Sequence, residues 1–154
     1  METERFIKVN RRFLKRSIYY LMALLVAVGL KIHYSLADAE ALVWILKPTA
    51  GLVTVFSGIP FQFENSVGYI NHPYRLIVAP SCAGINFMIA AFGMTAFYGL
   101  FNFRSLGAVR PWIGISLLAA FAMTILVNAI RIIISFHLYQ ADIYFGWLTP
   151  ERVH

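Results

Sequence analysis

The stretch APSCAGINFMIAAFGMTAFYGL, Ala79–Leu100, decides how the chain is read. It holds the only cysteine, Cys82, at the mouth of a long apolar run. Pro80 reads as the end of an extended segment and Ser81 as a good N-cap, so a helix is predicted to begin at or beside Cys82. The run that follows is about long enough to cross a bilayer. The expectation is a thiol at the membrane surface, on the first turn of a transmembrane helix.

Composition agrees with a membrane setting. The 154 residues are 60% hydrophobic and only 13% charged, about half the charged share of soluble domains. Mean hydropathy is +0.70. The net charge of +6 is unevenly spread. Arg5, Lys8, Arg11, Arg12, Lys15 and Arg16 all precede the first apolar segment, a pattern that marks the cytoplasmic end of a span rather than a nucleic-acid surface. Nothing in the chain reads as a groove-reading element, so no nucleic-acid partner is expected. A single cysteine excludes an internal disulfide.

Upstream of Ala79, the first span is SIYYLMALLVAVGLKIHYSL, Ser17–Leu36, with Tyr19 and Tyr20 suited to one interface and Lys31, His33 and Tyr34 to the other. After Asp38–Glu40 comes an apolar segment, Ala41–Pro60, interrupted by Lys47-Pro48 and Gly51. Residues 61–79 change pattern: FQFE, VGYI and RLIVA read as two or three short strands around turn residues. Open strand edges are not tolerated in hydrocarbon, which puts this insert at the outer surface.

Downstream, the last span runs from about Trp112 to Leu138. The loop FNFRSLGAVRP before it carries Arg104 and Arg110 and no acid. The positive-inside rule then places the N-terminus (1–16) and this loop in the cytoplasm. Because the first span leaves and the Cys82 span returns, Ala41–Pro60 is expected to stay on the outer side, in the interface or bent back at Lys47-Pro48, rather than to span. The predicted fold is an all-α polytopic membrane protein. It has three transmembrane helices, one interfacial, re-entrant or spanning apolar segment, and a small extracytoplasmic β-like insert.

Arg131 then lies roughly 28 Å up the last helix from Trp112, near the outer boundary of a core about 30 Å thick. His154 follows on the same outer side, so topology alone brings Cys82, Arg131 and His154 to one membrane face. At a helix N-terminus, unpaired amides and the helix dipole favour thiolate over thiol. Small Ala83 and Gly84 would let their amides approach an oxyanion. Asn86, at i+4 from Cys82, would face the same side. Asn128 and Ser135 share Arg131's face at i−3 and i+4, forming a polar stripe that suits a partner or cavity better than lipid. A guanidinium there suits a thiolate, a substrate carbonyl or a tetrahedral intermediate. Among His33, His72, His137 and His154, residue chemistry alone does not choose a general base. No metal-ligand spacing and no phosphate-binding glycine motif occurs, and no cofactor is expected.

PSCAGINF (Pro80–Phe87), NAIR (Asn128–Arg131) and PERVH (Pro150–His154) together resemble the exosortase/archaeosortase family. LKPTAGLVTVFSGIPFQFE (Leu46–Glu64) followed by VGYIN (Val67–Asn71) is similar to its exosortase K branch. The resemblance extends over about Ala41 to His154. It implies a bacterial inner-membrane cysteine peptidase or transpeptidase facing the extracytoplasmic side. Its partners would be exported, membrane-tethered proteins with a C-terminal sorting signal made of a short motif, a transmembrane helix and a basic cluster. It further implies Cys82 as nucleophile, Arg131 as the stabilising cation and His154 as general acid/base, with Asn128, Ser81 and Asn86 in support. Family members continue past the histidine into another span, so residues 1–154 are expected to be a C-terminally truncated single membrane domain. From a different class, the residues also allow a non-catalytic membrane subunit or assembly factor of an export system. A channel or transporter component fits less well, because no second intramembrane charge is present to build a pathway.

Overall fold

The structure is a computed structural model that describes residues 2–103 and 106–140, with side chains described over 17–103 and 107–138. Four helices and one small sheet follow in order: α1 (Glu2–Leu36), α2 (Val43–Ser57), β1 (Gln62–Glu64), β2 (Gly68–Asn71), β3 (Leu76–Val78), a 3₁₀ turn (Pro80–Cys82), α3 (Ile85–Asn102) and α4 (Leu106–Gln140). Among the described residues, three apolar stretches are long enough to cross a membrane: Ser17–Leu36, Pro80–Asn102 and Gly107–Leu138. The architecture is the expected one, an all-α polytopic membrane protein carrying a three-stranded insert.

α1 shows why water is the wrong solvent for this chain. Ile18, Leu21, Met22, Leu24, Leu25, Val28 and Ile32 all stand exposed along its apolar half, while Ala23 is buried. A soluble protein rarely leaves so large an apolar surface open. Hydrocarbon solvates it without cost, and the helix satisfies its own backbone groups there.

α2 has 15 residues. At 1.5 Å per residue it is roughly 22 Å long, short of the roughly 30 Å hydrocarbon core. It runs unbroken through Pro48, so the bend expected at Lys47-Pro48 does not form a hairpin. Side-chain back-bonding supports the turns around the proline: Thr49 Oγ1 donates to Ile45 O at 2.7 Å and Thr54 Oγ1 to Ala50 O at 2.9 Å. Gly58, in the left-handed conformation (φ 72°), ends the helix by returning its N–H to Thr54 O at 2.8 Å.

The chain divides into two compact units, and α4 contributes to both. The first contains α1 up to Ser35 and Ile85–Ala122. In it, the Trp112 indole packs against Gly99, where any side chain would collide with it. Its Nε1–H donates to Thr95 O at 2.9 Å, and Phe103 meets its ring edge-on. Arg110 Nε donates to Tyr19 Oη at 3.1 Å, and Tyr20 stacks on Phe97. Lys31 Nζ donates to Asn86 Oδ1 at 2.8 Å. α3 ends at Asn102 and α4 starts at Leu106 and carries Pro111 within it, while Arg104 lies outside the described residues. The longer loop expected from FNFRSLGAVRP is therefore mostly helix.

The second unit contains Leu36–Gly84 and the part of α4 from Met123. Its sheet is an antiparallel meander in the order β1-β2-β3, with Phe63 opposite Tyr69 and Ile70 opposite Ile77. The sheet packs on α2 through β2, and Leu42, Ile45, Leu46, Val53, Ile70 and Val78 of this unit are buried. Buried Asn71 braces the second hairpin. Its Nδ2 donates to Pro60 O at 2.6 Å and its Oδ1 accepts from Tyr74 N, three residues on, at 2.9 Å, so the side chain ties the β2–β3 loop to the end of α2's connection. Tyr74 meets Phe136 of α4 edge-on at 5.6 Å. Through β3 and Ala79, the insert delivers the chain into the Cys82 turn.

Candidate active site

Cys82 closes the 3₁₀ turn, one residue before the chain bends away into α3. Its own N–H donates to Ala79 O at 2.8 Å, and the next N–H, of Ala83, donates to Pro80 O at 3.0 Å. The Cys82 carbonyl is also taken: Asn128 Nδ2 of α4 donates to it at 2.7 Å. Three hydrogen bonds thus fix the peptide groups on both sides of the half-buried thiol residue.

Gly84 makes this arrangement possible. Its φ is +68°, a left-handed conformation that L side chains seldom adopt, and a Cβ there would run into the Asn128 carboxamide. The glycine breaks the helix between Cys82 and Ile85, and it leaves a notch into which the Asn128 side chain fits. Asn128 is only 6% exposed. In that notch its amide has a defined partner, as a buried polar group requires.

Four expectations from the sequence change here. α3 starts at Ile85, not at Cys82, so the thiol is not on the first turn of the transmembrane helix. The cap position of the preceding turn is Ala79, and Ser81 sits inside that turn, exposed. The reason is Gly84, whose positive φ uncouples the two helical pieces. The same break removes the helical phase relation between Cys82 and Asn86, which instead accepts from Lys31. The Ala83 amide, offered by the sequence as an oxyanion donor, is engaged with Pro80 O.

Arg131 lies three residues beyond Asn128 on α4, about 4.5 Å further along the axis and on the same side of the helix. It is exposed, and Ser135, one turn on, is half-buried. Among the described residues no hydrogen bond or ion pair joins Arg131 to the Cys82 turn. Cys82 and Asn128 are brought into contact, and Arg131 is their neighbour through the helix.

The model of one protein family, Transmembrane exosortase (Exosortase_EpsH), matches residues 7–149. The chain belongs to the transmembrane exosortase family. No curated protein and no solved structure matches it. The matched range of the exosortase model takes in Cys82, Gly84, Asn128 and Arg131. His154 falls outside that range and outside the described residues.

The other histidines of the chain stand elsewhere. His33 is exposed on α1, and His137 is exposed beside Phe136 on α4. His72 pairs with Glu64 at 2.7 Å across the insert. Among the described residues, no three of His, Cys, Asp and Glu gather as a metal site. An open cavity of about 540 Å³ lies in the second unit, lined by Ala37–Ala41, Ser66 and Pro80. Its wall reaches within two residues of Cys82.

Sequence reasoning saw Asn128 as part of a stripe and Gly84 as merely small. The signal for their pairing was present only as PSCAG and NAIR, two motifs 46 residues apart at Cys82 and Asn128. Neither motif names the other's atoms.

Proposed function

We propose that this exosortase-family protein is a membrane-embedded cysteine peptidase or transpeptidase, of the exosortase K branch, that processes C-terminal sorting signals of exported proteins. The observation that carries the reading is the fixed Cys82 turn, held by Asn128 one helical turn from Arg131, in a chain of this family. In this mechanism the Cys82 thiolate attacks the carbonyl carbon of the scissile peptide. The carbonyl oxygen takes the negative charge, which the Arg131 guanidinium offsets. The carbon–nitrogen bond breaks, the leaving amine receives a proton, and a thioester remains on Cys82. An incoming amine or water then attacks the thioester and returns the thiol. His154 is assigned the proton transfers, as the resemblance around PERVH suggests. Ser81 and Asn86 are assigned supporting roles, as the resemblance implies.

The proposed topology puts the basic segment 1–16 and the α3–α4 connection in the cytoplasm of a bacterial inner membrane, by the positive-inside rule. With α2 too short to span, three crossings leave the insert, Cys82 and Arg131 at the extracytoplasmic face. A substrate held by its own transmembrane helix would present its scissile bond at that height, so the membrane supplies much of the positioning. The cavity beside Pro80 gives such a peptide room to approach.

Substituting Cys82→Ala or Cys82→Ser and following a co-expressed exported protein with a tripartite C-terminal sorting signal tests the reading. Processing should be abolished in both. Undiminished processing removes the thiol mechanism and returns the chain to a non-catalytic subunit of an export system.

A further inference from the structure

We infer that Asn128 is a positioning residue for the Cys82 thiol: its carboxamide, seated in the notch of Gly84, sets the direction of the nucleophile by holding the Cys82–Ala83 peptide plane. This rests on the proposed thiol chemistry and adds to it a second residue, acting through the first.

The Cys82–Ala83 amide is pinned at both ends, its carbonyl by Asn128 Nδ2 at 2.7 Å and its N–H by Pro80 O at 3.0 Å. The Pro80 contact is local and belongs to the turn itself. The Asn128 contact is not: it crosses 46 residues and comes from α4. It therefore ties the orientation of the Cys82 backbone to the helix that bears Arg131.

A side chain's direction follows from its backbone, because Cα–Cβ is fixed once the flanking peptide planes are fixed. With both planes held, the sulfur keeps only rotation about χ1. Without the Asn128 bond the turn retains its local bonds but loses its reference to α4. The Gly84 hinge next to it, with the conformational range of glycine, then leaves the Cys82–Ala83 plane free to rock.

The burial of Asn128 sharpens the case. A nearly buried carboxamide in an apolar helix is costly unless it is bonded, and its geometric complement is a position where only glycine fits. An alanine at 128 would fill an apolar helix as well or better. Asparagine is the residue that gives α4 a donor at that height.

A merely structural role and a positioning role differ in what they predict. As the chain has one cysteine, isotope-labelled cysteine ([1-13C, 18O]) marks a single backbone carbonyl, and its infrared amide I band reads the Asn128 bond directly in the intact protein in membranes. Asn128→Ala removes the donor. Asn128→Leu keeps the branched shape and removes the donor, so it serves where alanine fails to fold. The expected result is a rise in the labelled band in both variants, with kcat for the sorting-signal reporter falling about 10- to 100-fold, the scale of an ångström-level misplacement. KM should stay within about twofold, because the loss lies in the reacting geometry rather than in substrate binding. A labelled band unmoved by either substitution overturns the hydrogen bond. A shifted band with unchanged kcat overturns the positioning role. Wild-type and Cys82→Ala proteins run alongside separate this from the thiol reading. If Cys82→Ala still processes the reporter, the thiol mechanism itself has failed. If Cys82→Ala is dead and Asn128→Ala is fully active, only the role of Asn128 has.

Discussion

Substituting Gly84 by alanine tests the geometry of the site through stability alone. Two costs arise at that position, and both can be worked from the structure. The backbone stands at φ +68°, where a Cβ costs roughly 1–2 kcal/mol per residue. The new methyl would also displace the Asn128 carboxamide from the notch. Losing the bond to Cys82 O leaves a buried amide without a partner, worth roughly 1–3 kcal/mol. The sum is about 2–5 kcal/mol, a large share of a domain's net stability. The assay is reversible unfolding in mixed micelles, titrated with a denaturing detergent and followed by far-ultraviolet circular dichroism. Gly93→Ala is the matched control, since nothing lies within 4 Å of the position and it sits in α3. There the helix propensity of alanine should add about 1 kcal/mol of stability. In an Asn128→Ala background, adding Gly84→Ala meets no carboxamide and should cost only the roughly 1–2 kcal/mol of the backbone conformation, measured against Asn128→Ala alone. If Gly84→Ala unfolds at the same midpoint as Gly93→Ala, the notch does not exist as described.

Other positions give independent checks. Gly99→Ala would drive the Trp112 indole off α3 and should destabilise by roughly 1–3 kcal/mol, as overpacking does; tryptophan fluorescence in micelles will report the displaced ring. Trp112→Phe removes the Nε1–H bond to Thr95 O and should cost about 1 kcal/mol in the same unfolding assay. At Gly68 the φ is +114° and a Cβ would lie 2.5 Å from Val78 O, so Gly68→Ala should open the insert and expose it to protease while leaving the transmembrane helices intact. The Glu64–His72 pair is exposed; His72→Ala should change stability by less than about 1 kcal/mol, and a larger loss in the unfolding titration would show the pair to be better shielded than it looks. Cysteines introduced one at a time at Lys47 and Ser57, in a Cys82→Ala background, should both react with an impermeant maleimide from one side of the membrane. Opposite-side labelling would make α2 a span and overturn the proposed orientation.

Much of the fold was legible before any tertiary contact. The apolar runs Ser17–Leu36 and Trp112–Leu138 exceed what a soluble helix leaves uncovered, and hydropathy needs no neighbours to be read. The short strands of 61–79 were visible in their alternation. What misled was local: Ser81 before an apolar run is a good cap signal, yet the helix waits until Ile85. Lys47-Pro48 looked like a place to turn, yet α2 passes through it.

The sequence by itself determined the solvent of this protein, the number of its long apolar helices and the residues with reactive chemistry. Those follow from composition and from periodicity, which act over one or two helical turns. Only the tertiary structure decided that Asn128, rather than Asn86, meets the cysteine turn, and that the Ala83 amide is already spent on Pro80 O. A hydrogen bond between residues 46 positions apart depends on where two elements pass each other. Gly84 permits that passage by having no side chain and by turning the chain at a positive φ. Neither its smallness nor its freedom says, in one dimension, which residue will come to fill the space.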